Sequence, residues 1–131
     1  MMRQSGGQKV RQASSERQKR ERRGRLAEFM AALLLMSKGY RVIARRYKGQ
    51  AGEIDLIAVR GRRLAFVEVK QRQSLEDAAT AIGGRQAERI ARSAAEWIAR
   101  HPRYGNHDVG FDAVQVAPWR WPRHARDAYR I

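Results

Sequence analysis

The stretch AGEIDLIAVRGRRLAFVEVK, residues 51–70, carries the clearest strand signal in the chain together with three acids, Glu53, Asp55 and Glu68. Residues 53–60 and 64–70 are short apolar runs, and RGRR separates them with Gly61 available for a tight turn. Two such runs read as an antiparallel hairpin. Side chains alternate along a strand, so Leu64, Phe66, Glu68 and Lys70 share one face, while Ala65, Val67 and Val69 share the other. Glu68 and Lys70 are then same-side neighbours, about 6.5–7 Å apart along the strand. In the preceding run Glu53, Asp55, Ile57 and Val59 fall on one side. A turn centred on residues 61–62 pairs residue 55 with about residue 68, which sets two carboxylates side by side.

Adjacent, partly buried carboxylates repel each other and resist desolvation. Lys70 supplies one compensating charge. A divalent cation supplies more, and hard oxygen ligands suit magnesium or manganese. Magnesium takes one or two protein carboxylates and leaves its other positions to water and phosphate. That arrangement suits phosphodiester hydrolysis, because the metal polarises the phosphate and acidifies a bound water. Lys70 is placed to position that water or to stabilise developing negative charge. The same residues also admit a structural reading, a cross-strand Glu–Lys ladder at a sheet edge.

Upstream, residues 25–38 read as a helix. Leu26, Phe29, Met30, Leu33 and Leu34 follow the i, i+3, i+4 spacing, and Lys38 with Gly39 supplies a stop signal. Glu28, Ala31, Ala32 and Leu35 form a second, thinner stripe, so this helix is expected to be covered on more than one side. YRVIARRY (40–47) reads as a strand, and GQAG ends it. Residues 71–84 are small and polar, with a short helical piece around 75–81. A second long helix over about 85–100 has Ala87, Ile90, Ala91, Ala94, Trp97 and Ile98 on one face, with Gln86 at its edge. VGFDAVQVA (109–117) is the fourth strand. The order is α-β-β-β-α-β, and the crossover helix permits parallel pairing of the third and fourth strands. The expected class is α/β, a small mixed sheet of about four strands flanked by helices.

Residues 1–23 hold eight basic and two acidic residues and read as a disordered basic arm, leaving 24–131 as the domain. Across the 131 residues, 28 Lys and Arg stand against 13 acids, a formal charge of +15. Such a balance makes nucleic acid the first partner to consider, and the arginine fork suits phosphate. No apolar run is long enough for a membrane span and the basic N-terminal stretch is no secretory signal, so a cytoplasmic protein with no membrane partner is expected. The absence of cysteine excludes disulfides, thiolate catalysis and Cys-type zinc sites. His101, His107 and His124 lie in hydrophilic stretches and read as surface residues. Trp97 reads as core. Trp119 and Trp121 alternate with Arg120 between two prolines; packing against an edge is the preferred reading, with base stacking as the other. Glu53 is either an accessory ligand or a loop acid. Asp112 either approaches the carboxylates or pairs with an arginine.

GEIDLIA followed by FVEVK, with GRLAE on the upstream helix and FDAV in the late strand, resembles the YraN family over roughly residues 24–117. These are small uncharacterised bacterial proteins related to Holliday-junction resolvases and to restriction-endonuclease-like nucleases. The resemblance implies a restriction-endonuclease-like fold and an Asp…Glu-x-Lys motif at Asp55, Glu68 and Lys70. It adds Glu28 as an acid and further metal candidate on the first helix, the Val69 carbonyl as a metal ligand, and Gln86 as a polar residue facing the site. Departures are Arg45 where the family often has Asn, Arg85 where Lys is common, and Gly110 in place of an Arg before Phe-Asp. Arg45, Arg46, Lys48, Arg72 and Arg85 are the expected phosphate-binding set. The expected function is a Mg2+- or Mn2+-dependent endonuclease acting on branched or flap DNA. The alternative is a non-catalytic DNA- or RNA-binding protein that keeps the fold, and a weaker third is a ribosome- or partner-associated structural protein. Resolvases act as dimers, and the nearly all-round apolar first helix leaves room for a homodimer.

Overall fold

A computed structural model describes residue 18 and residues 24–71 and 84–129. The rest of the expected basic arm, and the helical piece around 75–81, lie outside the described residues. Helix α1 runs over 24–37 and is followed by strands β1 (Arg41–Lys48), β2 (Glu53–Arg60) and β3 (Arg63–Gln71). Helix α2 (Gly84–Arg100), a 3-10 turn (Pro102–Tyr104), β4 (Asp108–Val116) and the short β5 (Arg123–Ala125) complete the order. The sequence order is as expected, with β5 added at the edge. The five strands form one mixed sheet in the order β1-β2-β3-β4-β5. Among the described residues no helix is long and apolar enough to cross a membrane.

The hairpin forms where alternation and turn chemistry agree. Arg60 pairs with Arg63 across Gly61 and Arg62, and Gly61 has φ +59°, a left-handed backbone that glycine adopts without steric cost. The ladder continues to Leu56↔Val67. One step further sets Asp55 opposite Glu68. α2 supplies the crossover, so β3 and β4 pair in parallel from Arg63↔Asp108 to Gln71↔Val116.

The two helices cover opposite faces of the sheet. Ala94 and Trp97 of α2 pack on Ile57, Val59, Leu64 and Phe66, with Trp97 edge-on to Phe66 at 5.9 Å between ring centroids. Glu68 continues the Leu64–Phe66 row and therefore lies on the α2 face. On the other face, Ala27, Ala31, Ala32 and Leu35 of α1 pack on Leu56, Ala58, Ala65, Val67 and Val114. α1 closes with the Tyr40 amide donating to the Leu35 carbonyl and the Gly39 amide to that of Met36, a Schellman closure.

α1 corrects one expectation. Of its thinner stripe, Ala31, Ala32 and Leu35 are at most 1% exposed, joined by Ala27 at 3%, whereas Leu26, Phe29 and Leu33 of the wider stripe are 46–59% exposed and only its Met30 and Leu34 pack, partly buried, against the same core. The helix is covered on one side, not two. The reason is side-chain size. Ala58 and Ala65 give the sheet a low surface, and alanines on the helix let the two backbones approach. Larger side chains on that stripe would hold them apart.

The buried polar centre of the α1 face is Asp112, fully buried on β4. Arg63 clamps it with two bonds of 2.7 Å, His124 Nε2 meets Oδ2 at 2.7 Å, and the Asp127 amide donates to Oδ1 at 2.9 Å. These partners, chiefly the Arg63 guanidinium, hold the Asp112 carboxyl well below the usual carboxylate range against the cost of burial. Gly110 makes room for this clamp, because a Cβ there would collide with the Arg63 guanidinium. His124 is the second correction. Its side chain is 2% exposed and paired with Asp112, not a surface group.

Candidate functional site

Asp55, Glu68, Lys70 and Gln86 come together on the α2 face, at the end of the hairpin away from its turn. Glu68 is held from three sides. Lys70 Nζ is 2.6 Å from Glu68 Oε1, the Gln86 side-chain amide donates to the same oxygen, and Tyr129 donates its hydroxyl to Oε2 at 2.8 Å. Lys70 reaches Glu68 because strand alternation puts i and i+2 on one side. Gln86 reaches it from the first turn of α2. Tyr129 comes from beyond β5, where its backbone amide donates to the Phe111 carbonyl at 3.2 Å.

Asp55 is in a different electrostatic position. Its Oδ2 accepts the Val69 amide at 2.8 Å. Among the described residues no cation forms an ion pair with it. Burial pushes its carboxyl up to about 6, with the charges of Glu68, Glu28 and Glu53 adding to the rise and the Val69 bond opposing it. The Val69 side chain packs toward α1, so its main chain is what faces Asp55.

Glu28 stands apart from this group. It is paired with Arg46, Nε to Oε2, at 2.7 Å. Arg46 occupies the register position opposite Asp55, between Arg45↔Leu56 and Tyr47↔Ile54, and has φ +52°. A left-handed residue within a strand turns the local backbone. Arg46 accordingly bridges β1 to α1. A cleft of about 340 Å³ opens there, lined by Arg25, Glu28, Arg46, Lys48 and Glu53. Arg45, Arg46 and Lys48 are exposed along β1, an edge strand, and Arg85 is exposed in the first turn of α2. Arg72 lies outside the described residues.

Asp112 does not join the site. It pairs in register with Val67, whose side chain packs on α1, so it points to the opposite face from Glu68. Trp119 and Trp121 are 102% and 89% exposed, which overturns the packing reading. Tyr129, a direct partner of Glu68, was not signalled by the sequence.

The donor set can be tested against a divalent cation. Among the described residues no three acidic, histidine or cysteine side chains cluster closely enough to hold a metal. Two carboxylates, Asp55 and Glu68, are available. That number suits magnesium, which draws its remaining ligands from water and phosphate, with the Val69 carbonyl as a main-chain candidate. Asp55, an ionisable acid with no ion pair among the described residues, is the group such an ion would relieve. Glu68 would exchange part of its present hydrogen bonding.

The amino-acid sequence matches a family of proteins. The family model described as "Uncharacterised protein family UPF0102" matches residues 27–116. A UPF0102 protein of Methylorubrum extorquens is 54% identical over 109 residues, covering 83% of this chain and 85% of the relative. One of Mesorhizobium japonicum is 50% identical over 116 residues, covering 88% and 93%. A third, of Bradyrhizobium diazoefficiens, is 46% identical over 129 residues, covering 98% and 97%. The match takes in α1, the hairpin, α2 and β4, so the chain belongs to the UPF0102, or YraN, family.

Proposed function

We propose that this protein binds nucleic acid and hydrolyses phosphodiester bonds in structured DNA, using a divalent metal held at Asp55 and Glu68. The observation that carries the reading is Asp55. It is an acid raised to about 6, without an ion-pair partner among the described residues, beside the Glu68–Lys70 pair in a chain of formal charge +15. Unpaired partly buried acids are costly to a fold, and strongly perturbed groups gather at functional sites.

In this mechanism Asp55 and Glu68 are the protein's metal ligands, with the Val69 carbonyl as a third and Glu28 as an outlying acid. Magnesium or manganese, when bound, polarises the phosphate and acidifies a water. Gln86 and Tyr129 fix the Glu68 carboxylate so that its orientation does not depend on substrate. Lys70 gives up part of its bond to Glu68 and stabilises negative charge developing on phosphate oxygen. Arg45, Lys48 and Arg85, exposed around the site, hold the flanking backbone.

A second reading is binding without cleavage, of DNA or RNA. It is favoured by Glu68, whose two oxygens are already satisfied by Lys70, Gln86 and Tyr129. The test is cleavage of labelled four-way-junction, flap, single-stranded and duplex DNA with Mg2+ or Mn2+, with binding followed in the same samples. Wild type cuts at least one structured substrate, while Asp55→Ala and Lys70→Ala bind without cutting. If nothing is cut while all three proteins bind alike, DNA cleavage is refuted, and an RNA series decides between an RNA nuclease and a binding module.

A further inference from the structure

Trp119 and Trp121 stand in solvent, whereas Trp97 is buried at 4% exposure. The exposed pair lies in the turn between β4 and β5 and alternates with Arg120. Trp119 has φ +63°, a backbone that strains an aromatic residue. Strain and exposure both count against folding, and neither is offset by burial of the indole. Residues held this way concentrate at ligand clamps.

Beneath the pair is a mainly apolar cleft of about 540 Å³, between this turn and α1, lined by Leu26, Met30, Val116, Trp119 and Trp121. That volume is in the range of clefts that take small planar ligands, about 300–1,000 Å³. Gln71 forms one end of it. Gln71 directly follows Lys70 on β3, and the two pair with Val116 and Gln115 of β4. By strand alternation Gln71 belongs to the α1 face, so the cleft opens on the opposite side of the sheet from Glu68 and Lys70. Arg120, Arg123 and Arg126 are exposed along the same turn and edge.

We propose that this cleft is a single-strand subsite: unpaired nucleobases stack on Trp119 and Trp121 while Arg120 and Arg123 hold the intervening phosphates. Aromatic faces alternating with cationic forks match the alternation of bases and phosphates in a nucleic-acid strand. Charge selects this occupant over a second copy of the chain, which would bring another +15 to the same surface. Bases in an intact duplex stack on each other and offer no free face. The subsite thus favours a flap, a junction arm or a frayed end. The inference rests on the nucleic-acid reading above and names the feature of the substrate that would be recognised.

The experiment compares wild type, Trp119→Ala, Trp121→Ala and Trp119→Phe. Each is titrated with a single-stranded oligonucleotide, the same strand with an abasic tract, and the blunt duplex. Affinity and tryptophan emission are read together at fixed salt. The single strand quenches emission, and each alanine weakens its binding by about tenfold or more, the scale of one lost base–aromatic stack. Trp119→Phe recovers most of the loss, the duplex is nearly unaffected, and the abasic strand binds wild type as weakly as the intact strand binds the variants. Equal affinities for all four proteins would overturn the subsite. So would an equal loss on duplex, or an emission change that follows protein concentration rather than oligonucleotide, which would mark the surface as a contact between copies. The two readings fail separately. If the tryptophan variants bind normally while Asp55→Ala abolishes cleavage, the subsite falls and the nuclease stands. If they lose single-strand binding but no protein cuts, the subsite stands and catalysis falls.

Discussion

Replacing Asp55 with asparagine removes the charge and keeps the shape. The asparagine carbonyl still accepts the Val69 amide that now donates to Asp55 at 2.8 Å. The fold holds Asp55 at about 6 against an ordinary 3.8, so the neutral acid is the form it favours. The stability this contributes is complete below pH 3.8 and is lost as pH rises through about 6. About two pH units at 1.36 kcal/mol each correspond to ~3 kcal/mol by pH 8. Asp55→Asn is therefore more stable than wild type by up to about 3 kcal/mol at pH 8, and no more stable near pH 4. With a urea slope of about 1–3 kcal/mol per molar, the denaturation midpoint moves up by roughly 1–3 M. Urea titrations of both proteins at pH 4, 6 and 8 without divalent metal measure this directly. Adding Mg2+ at pH 8 should raise the wild-type midpoint and leave the variant where it was. A midpoint difference that is the same at all three pH values would refute the reasoning, as would an Asp55→Asn protein less stable at pH 8.

Asp112 has the opposite sign. Its contribution is present at neutral pH and is lost as pH falls below the ordinary carboxylate range, and Arg63→Met, by removing its clamp, should cost about 3–5 kcal/mol in thermal or chemical unfolding. Two tyrosines should separate cleanly under denaturant. Tyr129→Phe loses a hydrogen bond to a charged group and about 1.5–3 kcal/mol, whereas Tyr47→Phe is neutral or stabilising, because the buried Tyr47 hydroxyl has no hydrogen-bond partner among the described residues. On α1, Ala31→Leu should destabilise by about 1–3 kcal/mol through overpacking, while Phe29→Lys should stay within about 0.5 kcal/mol of wild type; reversed melting temperatures would mean the helix faces are assigned the wrong way round.

The hairpin was legible because independent signals agreed on it. Alternation gave the faces, Gly61 gave the turn, and together they set Asp55 against about residue 68. The crossover helix allowed a parallel β3–β4 pair, and the adjacency of the two strands decides it. The orientation of α1 was not legible from hydrophobic spacing, because both of its stripes are apolar. Residue size decided between them, and that depends on the alanines presented by a sheet not yet assembled. Tyr129 and His124 were missed for a related reason. Tyr129 meets a partner 61 residues away, and both residues lie in or beside a three-residue strand too short to show a period. Trp119 and Trp121 failed in the other direction. Their composition suits packing, but nothing in the surrounding sequence revealed that no surface would reach them.

The segment 123–129 also bears on the order in which the molecule can be finished. During synthesis it follows all four longer strands and both helices. A nascent chain that had only reached Ala117 would already hold Arg63, Asp112, Asp55 and Glu68. It would lack the His124 and Asp127 contacts to Asp112 and the Tyr129 hydroxyl on Glu68. One short stretch thus supplies partners to both faces of the sheet, completing the hydrogen bonds of the buried aspartate on one and of the glutamate on the other. A partly made chain would hold Asp112 by Arg63 and Glu68 by Lys70 and Gln86, without the last contacts to either. The last contacts of the buried aspartate and of the site's glutamate would then arrive together, with seven residues that have no helix among them.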